Sequence, residues 1–221
     1  MQSKSFQAAP NAIDFAKNDH TVLKFWESHD IFKKTEQVSR LKKHFVFYDG
    51  PPGTNGRPHI GHIMQSSLKD VWPRFKTMQG YTVLRKAGWD THGLPVELTA
   101  EAELGLSGKV EIEKFGTHKF IEHCRSTVLR FRSDWVDAIR RLGRFLDCEN
   151  DYLTMSNDFI QSDWWVMRQA FDKRLLYKDF KIVPYCARCG TGLSSHEVAQ
   201  GYQDVTDLTL TAKFRLKGKT D

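Results

Sequence analysis

Two histidines stand three residues apart at the end of a loop that is rich in glycine and proline. The loop reads GPPGTNGRPHIGH over residues 50–62 and ends on His59, Gly61 and His62. Glycine and proline at this density exclude the middle of a helix or strand. Where such a loop leads into a helix, free backbone N–H groups and the positive end of the helix dipole attract anions. The two imidazole rings are therefore placed to donate N–H groups to phosphate oxygens.

The loop differs from the common phosphate-binding loops. The sequence contains no G-x-x-x-x-G-K-[ST], and no G-x-G-x-x-G follows the predicted strand. His59 and His62 suit the stabilisation of charge on an α-phosphate while pyrophosphate leaves, with the attacking group supplied by the substrate. Gly61 leaves room for a base or ribose to approach the backbone. The alternative is that both histidines only cap a turn.

A strand, a helix and a second strand must position this loop. The apolar run Phe45–Tyr48 predicts a buried strand before the loop. Apolar residues at helical spacing predict a helix from near Gly61 to Gly80, kinked at Pro73. A second strand is predicted over Thr82–Arg85. Strand, helix and strand in this order predict an α/β fold with parallel pairing.

Further helices and one strand are predicted along the rest of the chain. Amphipathic patterns predict helices over residues 11–33, over Thr117–Phe145 and from about Phe159 to Tyr177. The apolar stripes of the last two helices are predicted to face the core. The alternating segment Leu208–Leu216 predicts a half-exposed strand near the end of the sequence.

Composition narrows the class of protein. Of the 221 residues, 40% are hydrophobic and 12% aromatic, which is enough for a sizeable core. A net charge of +6 favours an anionic partner such as a nucleotide or RNA. No signal-peptide pattern and no apolar run of about 18 residues occur, so no membrane partner is expected. Four cysteines, two of them isolated, predict no disulfide framework and a reducing cytoplasm.

Three segments resemble the isoleucyl members of the class I aminoacyl-tRNA synthetases. They are GPPGTNGRPHIGH with its H-x-G-H signature, RKAGWDTHGLPVE at Arg85–Glu97, and YCARCGTGLSSHEVAQGY at Tyr185–Tyr202. The three motifs occur in the order of the family and at comparable spacing. The second motif is more selective than H-x-G-H, which other nucleotidyltransferases also carry.

The resemblance implies a fold and a domain order. It implies the N-terminal half of a Rossmann-like parallel-sheet catalytic domain, with helical segments, a cysteine knuckle and the first strand of an inserted editing domain. The expected domains are a helical extension over 1–43, the first catalytic half over 44–200 and the truncated start of the editing domain over 201–221. The second signature of the family, K-M-S-K-S, does not occur in the sequence. The chain is therefore expected to be an N-terminal piece of a longer enzyme and nearly inactive alone.

The resemblance also implies a reaction and its residues. Isoleucine and ATP, which comes with Mg²⁺, would form isoleucyl-adenylate for transfer to tRNA(Ile), in a cytoplasmic protein expected to be a monomer. The implied residues are His59 and His62 as catalytic and ATP contacts, Gly61 against the adenosine, Gly50 and Pro51 in the amino-acid and adenylate pocket, and Asp90 on the α-ammonium group. A carboxylate at the C-terminal end of a parallel strand faces the ligand side of an open sheet, which agrees with the role of Asp90.

Cys186 and Cys189 form a C-x-x-C pair that supplies two of the four ligands of a zinc site. In the family a second pair lies beyond the editing insert, so half of a zinc site is the favoured interpretation. The alternatives are His196 as a third ligand, a thioredoxin-like redox pair and a metal-free knuckle.

Two alternative functions remain open from the sequence. One is a class I synthetase of valyl or leucyl type. The other is a non-catalytic nucleotide- or RNA-binding module with a synthetase-like fold. Replacement of His59, His62 or Asp90 by another residue type would favour such a module, and all three residues are present.

Overall fold

The chain divides into two compact units, Met1–Tyr177 and Lys178–Asp221. A computed structural model describes residues 12–39, 43–199, 202–214 and 217–218, with only the backbone described at 38, 39 and 196. The side chain of His196, an alternative zinc ligand, therefore lies outside the described part of the structure. The end of the predicted strand at Leu216 lies outside the described residues as well.

The first unit contains the predicted parallel crossover. An extended segment over residues 43–53 runs parallel to residues 82–90, through bridges at His44–Thr82 and Gly53–Asp90. Helix α3 (Ile60–Met78) connects the two segments. The predicted helix from Gly61 to Gly80 is thus confirmed within two residues at each end, with Pro73 inside it. Parallel pairing across the helix is confirmed as well.

The two strands predicted for this unit are placed differently in the structure. Strand β1 is Lys86–Trp89, four residues beyond the predicted Thr82–Arg85. The segment Phe45–Tyr48 is extended but not a buried strand, since the Tyr48 side chain is 92% exposed. Half-buried and exposed residues alternate along the segment, because only one of its two faces packs against the rest of the unit. Isolated bridges, not a continuous ladder of hydrogen bonds, connect it to residues 82–90. The sequence pattern overstated the burial of this segment.

Strand β2 (Asp147–Leu153) lies parallel to β1 and was not predicted from the sequence. Its register pairs Gly88 with Tyr152 and Trp89 with Leu153. The strand reads DCENDYL, in which four acidic or amide residues mask the apolar alternation that would indicate a strand. Its pairing with β1 brings Leu153 and Thr154 beside the residues that follow Trp89.

The helix predicted over residues 11–33 is two helices. Helix α1 (Phe15–Ser28) begins at an N-cap in which Asp14 accepts a hydrogen bond from the Lys17 N–H at 3.0 Å. Helix α2 (Ile31–Ser39) follows after Asp30, whose positive φ of 50° breaks the helical path. Helices α4 (Leu94–Leu104) and α5 (Lys109–Phe115), which the sequence analysis did not predict, follow β1.

The helix predicted over Thr117–Phe145 is also broken. Helix α6 (Thr117–Thr127) and helix α7 (Arg132–Arg141) are separated at residues 128–131. The break places the Val128 carbonyl where the buried Thr54 hydroxyl donates to it at 2.6 Å. A tertiary hydrogen bond from the glycine- and proline-rich loop thus satisfies a backbone group at the break.

The core of this unit lies between β1 and α7. Ala87, Trp89, Trp135, Val136 and Ile139 form its buried cluster. Val128 is buried too, so the predicted apolar stripe is confirmed as a core face at Val128, Trp135 and Ile139. In α6 the stripe residue Ile121 is 45% exposed, and its neighbour Phe120 is the buried residue instead.

Helix α8 (Asn157–Asp172) does not face the core. The structure describes every residue of this helix and none is buried; Trp164 is 73% exposed and Phe171 is 62% exposed. The prediction of a core face was therefore wrong for this helix. The helix ends before the predicted Tyr177, because Arg174 adopts a positive φ of 57°.

The second unit is small. Strands β3 (Tyr185–Cys186) and β4 (Thr191–Gly192) form an antiparallel hairpin, followed by helix α9 (Ser195–Ala199). The described residues 202–214 form neither helix nor strand, so the strand predicted over Leu208–Leu216 is absent from its described part. Leu208 is 96% exposed, and a strand gains little where no neighbouring strand receives its backbone hydrogen bonds.

Candidate active site

The two histidines of the H-x-G-H sequence cap the N-terminus of α3 reciprocally. His59 is the N-cap residue, and its Nδ1 accepts a hydrogen bond from the Gly61 N–H at 3.2 Å. In return, the Nδ1 of His62 accepts from the His59 N–H at 3.3 Å. The turn-capping role that the sequence allowed is therefore present. Each ring accepts its capping hydrogen bond through one nitrogen, so the second nitrogen of each ring remains available.

These hydrogen bonds determine the tautomer of both rings. A nitrogen that accepts a backbone N–H carries no proton, so the proton of each neutral ring lies on Nε2. Neither Nε2 makes a hydrogen bond to a residue that the structure describes. The rings stack with centroids 3.7 Å apart and planes inclined by 28°. The helix end therefore presents two adjacent N–H donors beside its own positive dipole end.

Gly61 is required by this stack. A Cβ at residue 61 would lie 3.0 Å from Cε1 and 3.1 Å from Nδ1 of His59, which is closer than ordinary van der Waals contact. Any side chain here would push the His59 ring away from His62. The approach of a base or ribose to Gly61, which the sequence suggested, stays a prediction.

His62 is the more buried of the two histidines. Its ring packs against Trp135 of α7, with centroids 4.7 Å apart. Burial, with a smaller contribution from the neighbouring His59, lowers the pKa of His62 below its ordinary value. At neutral pH the His62 ring is therefore an uncharged donor through Nε2.

Helix α7 holds the loop that precedes α3. Trp135 donates from Nε1 to the Gly56 carbonyl at 2.9 Å, and Arg57 donates to Asp134 at 2.9 Å. Thr54 is fully buried against the helix break, as described above. A loop of glycines and prolines has little regular hydrogen bonding of its own, so these side chains keep it in one conformation.

A cleft of about 480 Å³ opens beside this loop. His62, Gly50 and Pro51 line it, together with Trp135 and Lys69. Three residues predicted for the site are thus brought to one cavity. His59 and Gly61 lie on the same helical turn outside its lining, and Asp90 lies outside the lining as well.

Two cations flank the cleft and were not predicted from the sequence. Arg144 donates to Oδ2 of Asp49 at 2.5 Å, and the ammonium of Lys69 lies 2.5 Å from Oδ1 of the same residue. Lys69 belongs to α3 and Arg144 follows α7. Neither belongs to a motif, and only the folding of α7 against β1 brings Arg144 to Asp49.

Asp90 follows directly after β1 and is exposed. Its backbone N–H donates to the Pro52 carbonyl at 2.8 Å, which ties it to the loop. Its Oδ1 accepts from the His92 N–H at 3.3 Å and from the Thr154 hydroxyl at 3.4 Å. Among the described residues, Oδ2 has neither a hydrogen bond nor an ion pair. One carboxylate oxygen is therefore held by the protein and the other is free for a ligand.

Cys186 and Cys189 lie together in the second unit, at the turn between β3 and β4. The Cys189 N–H donates to Sγ of Cys186 at 3.3 Å, and this hydrogen bond is the main cause that lowers the pKa of Cys186. The hydrogen bond between the two thiols raises the pKa of Cys189. No cluster of three or more metal-binding side chains occurs among the described residues. The turn thus favours the thiolate of Cys186 and the protonated thiol of Cys189.

The remaining cysteines agree with the expectation of a chain without disulfides. All four cysteines, each within the described part of the chain, are free. Burial raises the pKa of Cys148 to about 11 and also raises the pKa of Cys124. Both thiols stay protonated at neutral pH, which disfavours oxidation. No helix in the described ranges is long and apolar enough to cross a membrane.

Comparison with known proteins decides the family. The model described as tRNA synthetases class I (I, L, M and V) matches residues 21–217. The chain belongs to the class I tRNA synthetases. This membership places the H-x-G-H turn, the crossover helix and the parallel strands in a synthetase domain of this class, consistent with a Rossmann-like fold.

Several class I synthetases resemble the chain over nearly its whole length. The isoleucine--tRNA ligase of Clostridium tetani is 52% identical over 93% of this chain and 20% of that protein. The corresponding ligase of Clostridium acetobutylicum is 51% identical over 97% of this chain and 21% of that protein. The chain therefore spans about a fifth of the length of these curated relatives. The resemblance to the isoleucyl members is confirmed.

More distant class I synthetases also match. The isoleucine--tRNA ligase of Thermus thermophilus is 46% identical over 92% of this chain and 20% of that protein. Among solved structures, the ternary complex of Agrobacterium radiobacter K84 agnB2 LeuRS-tRNA-LeuAMS superposes with a TM-score of 0.46 and 26% identity. That superposition covers 78% of this chain and 19% of the other.

Proposed function

We propose that the complete protein containing this chain activates isoleucine with ATP and transfers it to tRNA(Ile). The observation that carries the proposal is the pair of stacked imidazole rings at the start of α3, in a chain about half identical to isoleucine--tRNA ligases. The rings present two N–H donors at a helix N-terminus, which is where a phosphate binds most favourably. Gly61 permits this arrangement.

The proposed first step needs no nucleophile from the protein. A carboxylate oxygen of isoleucine attacks the α-phosphorus of ATP in line, a phosphorus–oxygen bond forms, and the bond to pyrophosphate breaks. His59 and His62 donate from Nε2 to phosphate oxygens and stabilise the charge that develops on them. Mg²⁺ enters with ATP as part of the substrate. Catalysis then consists of positioning and charge stabilisation.

The amino acid and its adenylate are proposed to lie beside the loop that precedes α3. Gly50 and Pro51 line the cleft that His62 also lines, which supports a shared pocket for the adenylate. The free Oδ2 of Asp90 is proposed to bind the α-ammonium group of isoleucine. The backbone hydrogen bond from Asp90 to Pro52 keeps this carboxylate next to the loop.

The wider assignments follow from this reaction. Residues 44–200 are proposed as the first half of the catalytic domain, 1–43 as a helical extension and 201–221 as the start of an inserted editing domain. The tRNA partner agrees with a cytoplasmic protein and with the net charge of +6. A monomer is the proposed state, and this chain alone is proposed to be nearly inactive.

Zinc is proposed as a structural ligand of the second unit. Cys186 and Cys189 would hold it with two of the four ligands that a structural zinc site requires. The backbone hydrogen bond to Sγ of Cys186 supports this assignment, because it favours the thiolate that zinc binds. Zinc would tie the β3–β4 turn to the remaining ligands and stabilise the fold around it.

Amino-acid-dependent exchange between ATP and pyrophosphate tests the proposed function. The complete protein is expected to catalyse exchange with isoleucine far better than with leucine or valine. His59→Ala or His62→Ala should each lower kcat about 100-fold, as the loss of one transition-state donor does elsewhere. Exchange with leucine or valine alone would contradict the specificity. Exchange with no amino acid would contradict the enzyme assignment and favour a binding module.

The matching test on residues 1–221 concerns the isolated chain. It is expected to show little exchange. Turnover close to that of the complete protein would contradict the proposal that the chain needs the rest of the enzyme.

A further inference from the structure

We infer that Thr154 is a positioning residue for Asp90, whose role in binding the amine rests on the proposed function. The Thr154 hydroxyl lies 3.4 Å from Oδ1 of Asp90, and the His92 N–H binds the same oxygen. With Oδ1 held in this way, Oδ2 has one orientation relative to the loop. Thr154 thereby sets the direction from which the α-ammonium group approaches.

A chain of hydrogen bonds runs to Asp90 through two buried threonines. The Met155 N–H donates to Oγ1 of Thr91 at 2.9 Å, and the two threonine Oγ1 atoms lie 2.9 Å apart. The Thr91 N–H also donates to Oγ1 of Thr154 at 2.9 Å. Both threonines are more than nine-tenths buried.

The direction of this chain follows from counting protons. Each hydroxyl has one proton and can accept two hydrogen bonds. The Thr154 hydroxyl must donate its proton to the carboxylate of Asp90, because an ionised carboxylate can only accept hydrogen bonds. Thr91 must then donate its own proton to Thr154, while it accepts from Met155. Every hydrogen bond in the chain points toward Asp90, and bonds aligned in this way strengthen one another.

The strand pairing keeps the chain in place. The Thr154 N–H donates to the Trp89 carbonyl at 3.2 Å, which continues the parallel ladder of β1 and β2 beyond their ends. Behind this point, Asp151 accepts hydrogen bonds from Nε1 of Trp89 and from Arg132. The carboxylate of Asp90 is thus exposed, whereas the two threonines that support it are buried.

Steady-state exchange kinetics of the complete protein test this inference. Thr154→Val keeps the shape of the side chain and removes its proton. It is expected to raise the KM for isoleucine about threefold, since the hydrogen bond from Thr154 to Asp90 is long, at 3.4 Å, and orients the carboxylate rather than binding the ligand itself. The KM for ATP should stay close to wild type, because the ATP contacts lie on α3. Thr154→Ser retains the hydroxyl and should restore the KM for isoleucine.

Thr91→Val is the matched control. It removes an equally buried hydroxyl and leaves the Met155 N–H without its acceptor, just as Thr154→Val leaves the Thr91 N–H without one, so both variants should lower thermal stability. Thr154 keeps its own proton for Asp90 in this variant, so the KM for isoleucine should rise much less. Equal increases in KM for the two variants would show a structural effect only and would overturn the inference.

One further variant separates this inference from the proposed function. Asp90→Asn should raise the KM for isoleucine more than Thr154→Val does, because it removes the charge itself. If Asp90→Asn has this effect and Thr154→Val has none, the role of Thr154 is refuted and the proposed function stands. If the wild-type protein activates no amino acid, or Asp90→Asn leaves KM unchanged, the inference fails together with the assignment of Asp90.

Discussion

At the scale of single residues, the candidate site is oriented by the backbone. His59 and His62 each give one ring nitrogen to a backbone N–H of the same helical turn. Asp90 likewise gives one oxygen to the His92 N–H. In each case the structural hydrogen bond leaves the second polar atom of the side chain to a ligand and determines where it points. Substitutions near these residues should therefore alter orientation before they alter stability.

Gly61→Ala is expected to displace the His59 ring with little effect on folding. The new Cβ would lie about 3 Å from the His59 ring, so the ring must shift by a few tenths of an ångström relative to His62. Alanine favours the helix by about 0.5–1 kcal/mol, and the lost cap costs about 1 kcal/mol. The free energy of unfolding should consequently change little, while the NMR resonances of the His59 ring shift.

Gly56→Ala serves as the control for this variant. A Cβ at Gly56 meets no heavy atom within 4 Å, so the His59 resonances should stay at their wild-type positions. In the complete protein, amino-acid-dependent exchange should fall about tenfold or more for Gly61→Ala. An unchanged His59 ring in Gly61→Ala would contradict the model of the stack.

Acidification is expected to break the capping of α3 through His62. Burial lowers the pKa of His62, so the unfolded chain takes up a proton near pH 6.5 before the folded chain does. The stabilisation from neutral His62 is present above pH 6.5 and is lost as the pH falls toward the folded pKa. Protonation of Nδ1 then removes the acceptor of the His59 N–H.

NMR titration of the ring protons measures this effect. The midpoint of His62 should lie below 6.5. It should rise in His59→Gln yet stay below 6.5, because burial is the larger cause of the lowered pKa. A His62 midpoint at or above 6.5 in the wild-type chain would refute the prediction.

At the scale of elements, the loop and the break between α6 and α7 depend on each other. The hydroxyl of Thr54, a loop residue, donates to the Val128 carbonyl at the break. In return, the Phe131 N–H donates to the Thr54 carbonyl at 3.4 Å. Trp135 of α7 then binds the Gly56 carbonyl and packs on His62. The helix break is therefore part of what positions α3 and its histidines.

Thr54→Val should destabilise the chain by about 1–3 kcal/mol, because it leaves the buried Val128 carbonyl unpaired. Urea or thermal unfolding measures the loss. Thr21→Val is the control: the Thr21 hydroxyl also donates to a backbone carbonyl, at 2.9 Å, but on the exposed face of α1. Its effect should stay within about 0.5 kcal/mol. Equal losses for the two variants would contradict the role assigned to Thr54.

At the scale of the whole molecule, the first unit covers part of its apolar surface only. The core between β1 and α7 is well buried. The apolar side chains of α8 are not, with Trp164, Met167 and Phe171 exposed on one side of the helix and Trp165 and Val166 exposed on others. An exposed apolar patch of this kind promotes association in water.

The isolated chain is expected to associate in a concentration-dependent way through α8. Replacing Trp164 and Phe171 together by lysine should reduce the association, as measured by size-exclusion chromatography with light scattering. Ser126→Lys adds the same type of charge at an exposed position of α6, away from the apolar residues of α8 in sequence, and should leave the association unchanged. Association that persists in the double variant would show that α8 is not its cause.

The sequence by itself determined the local features of this protein. The histidine spacing, the glycine- and proline-rich loop and the helical period after it predicted α3 and its N-terminal site, because capping and helix formation depend on neighbouring residues. Parallel pairing followed from the length of the crossover. The motifs likewise indicated the synthetase family.

Only the tertiary structure decided the rest. Strand β2 has a polar sequence and exists because β1 pairs with it. The break before α7 forms because Thr54, distant in sequence, satisfies a carbonyl there. The exposure of α8 was likewise invisible in its apolar stripe, since periodicity shows which residues share a face and not what covers that face. The hydrogen-bond chain from Met155 to Asp90 likewise depends on the pairing of β1 with β2, because its residues come from the ends of these two strands.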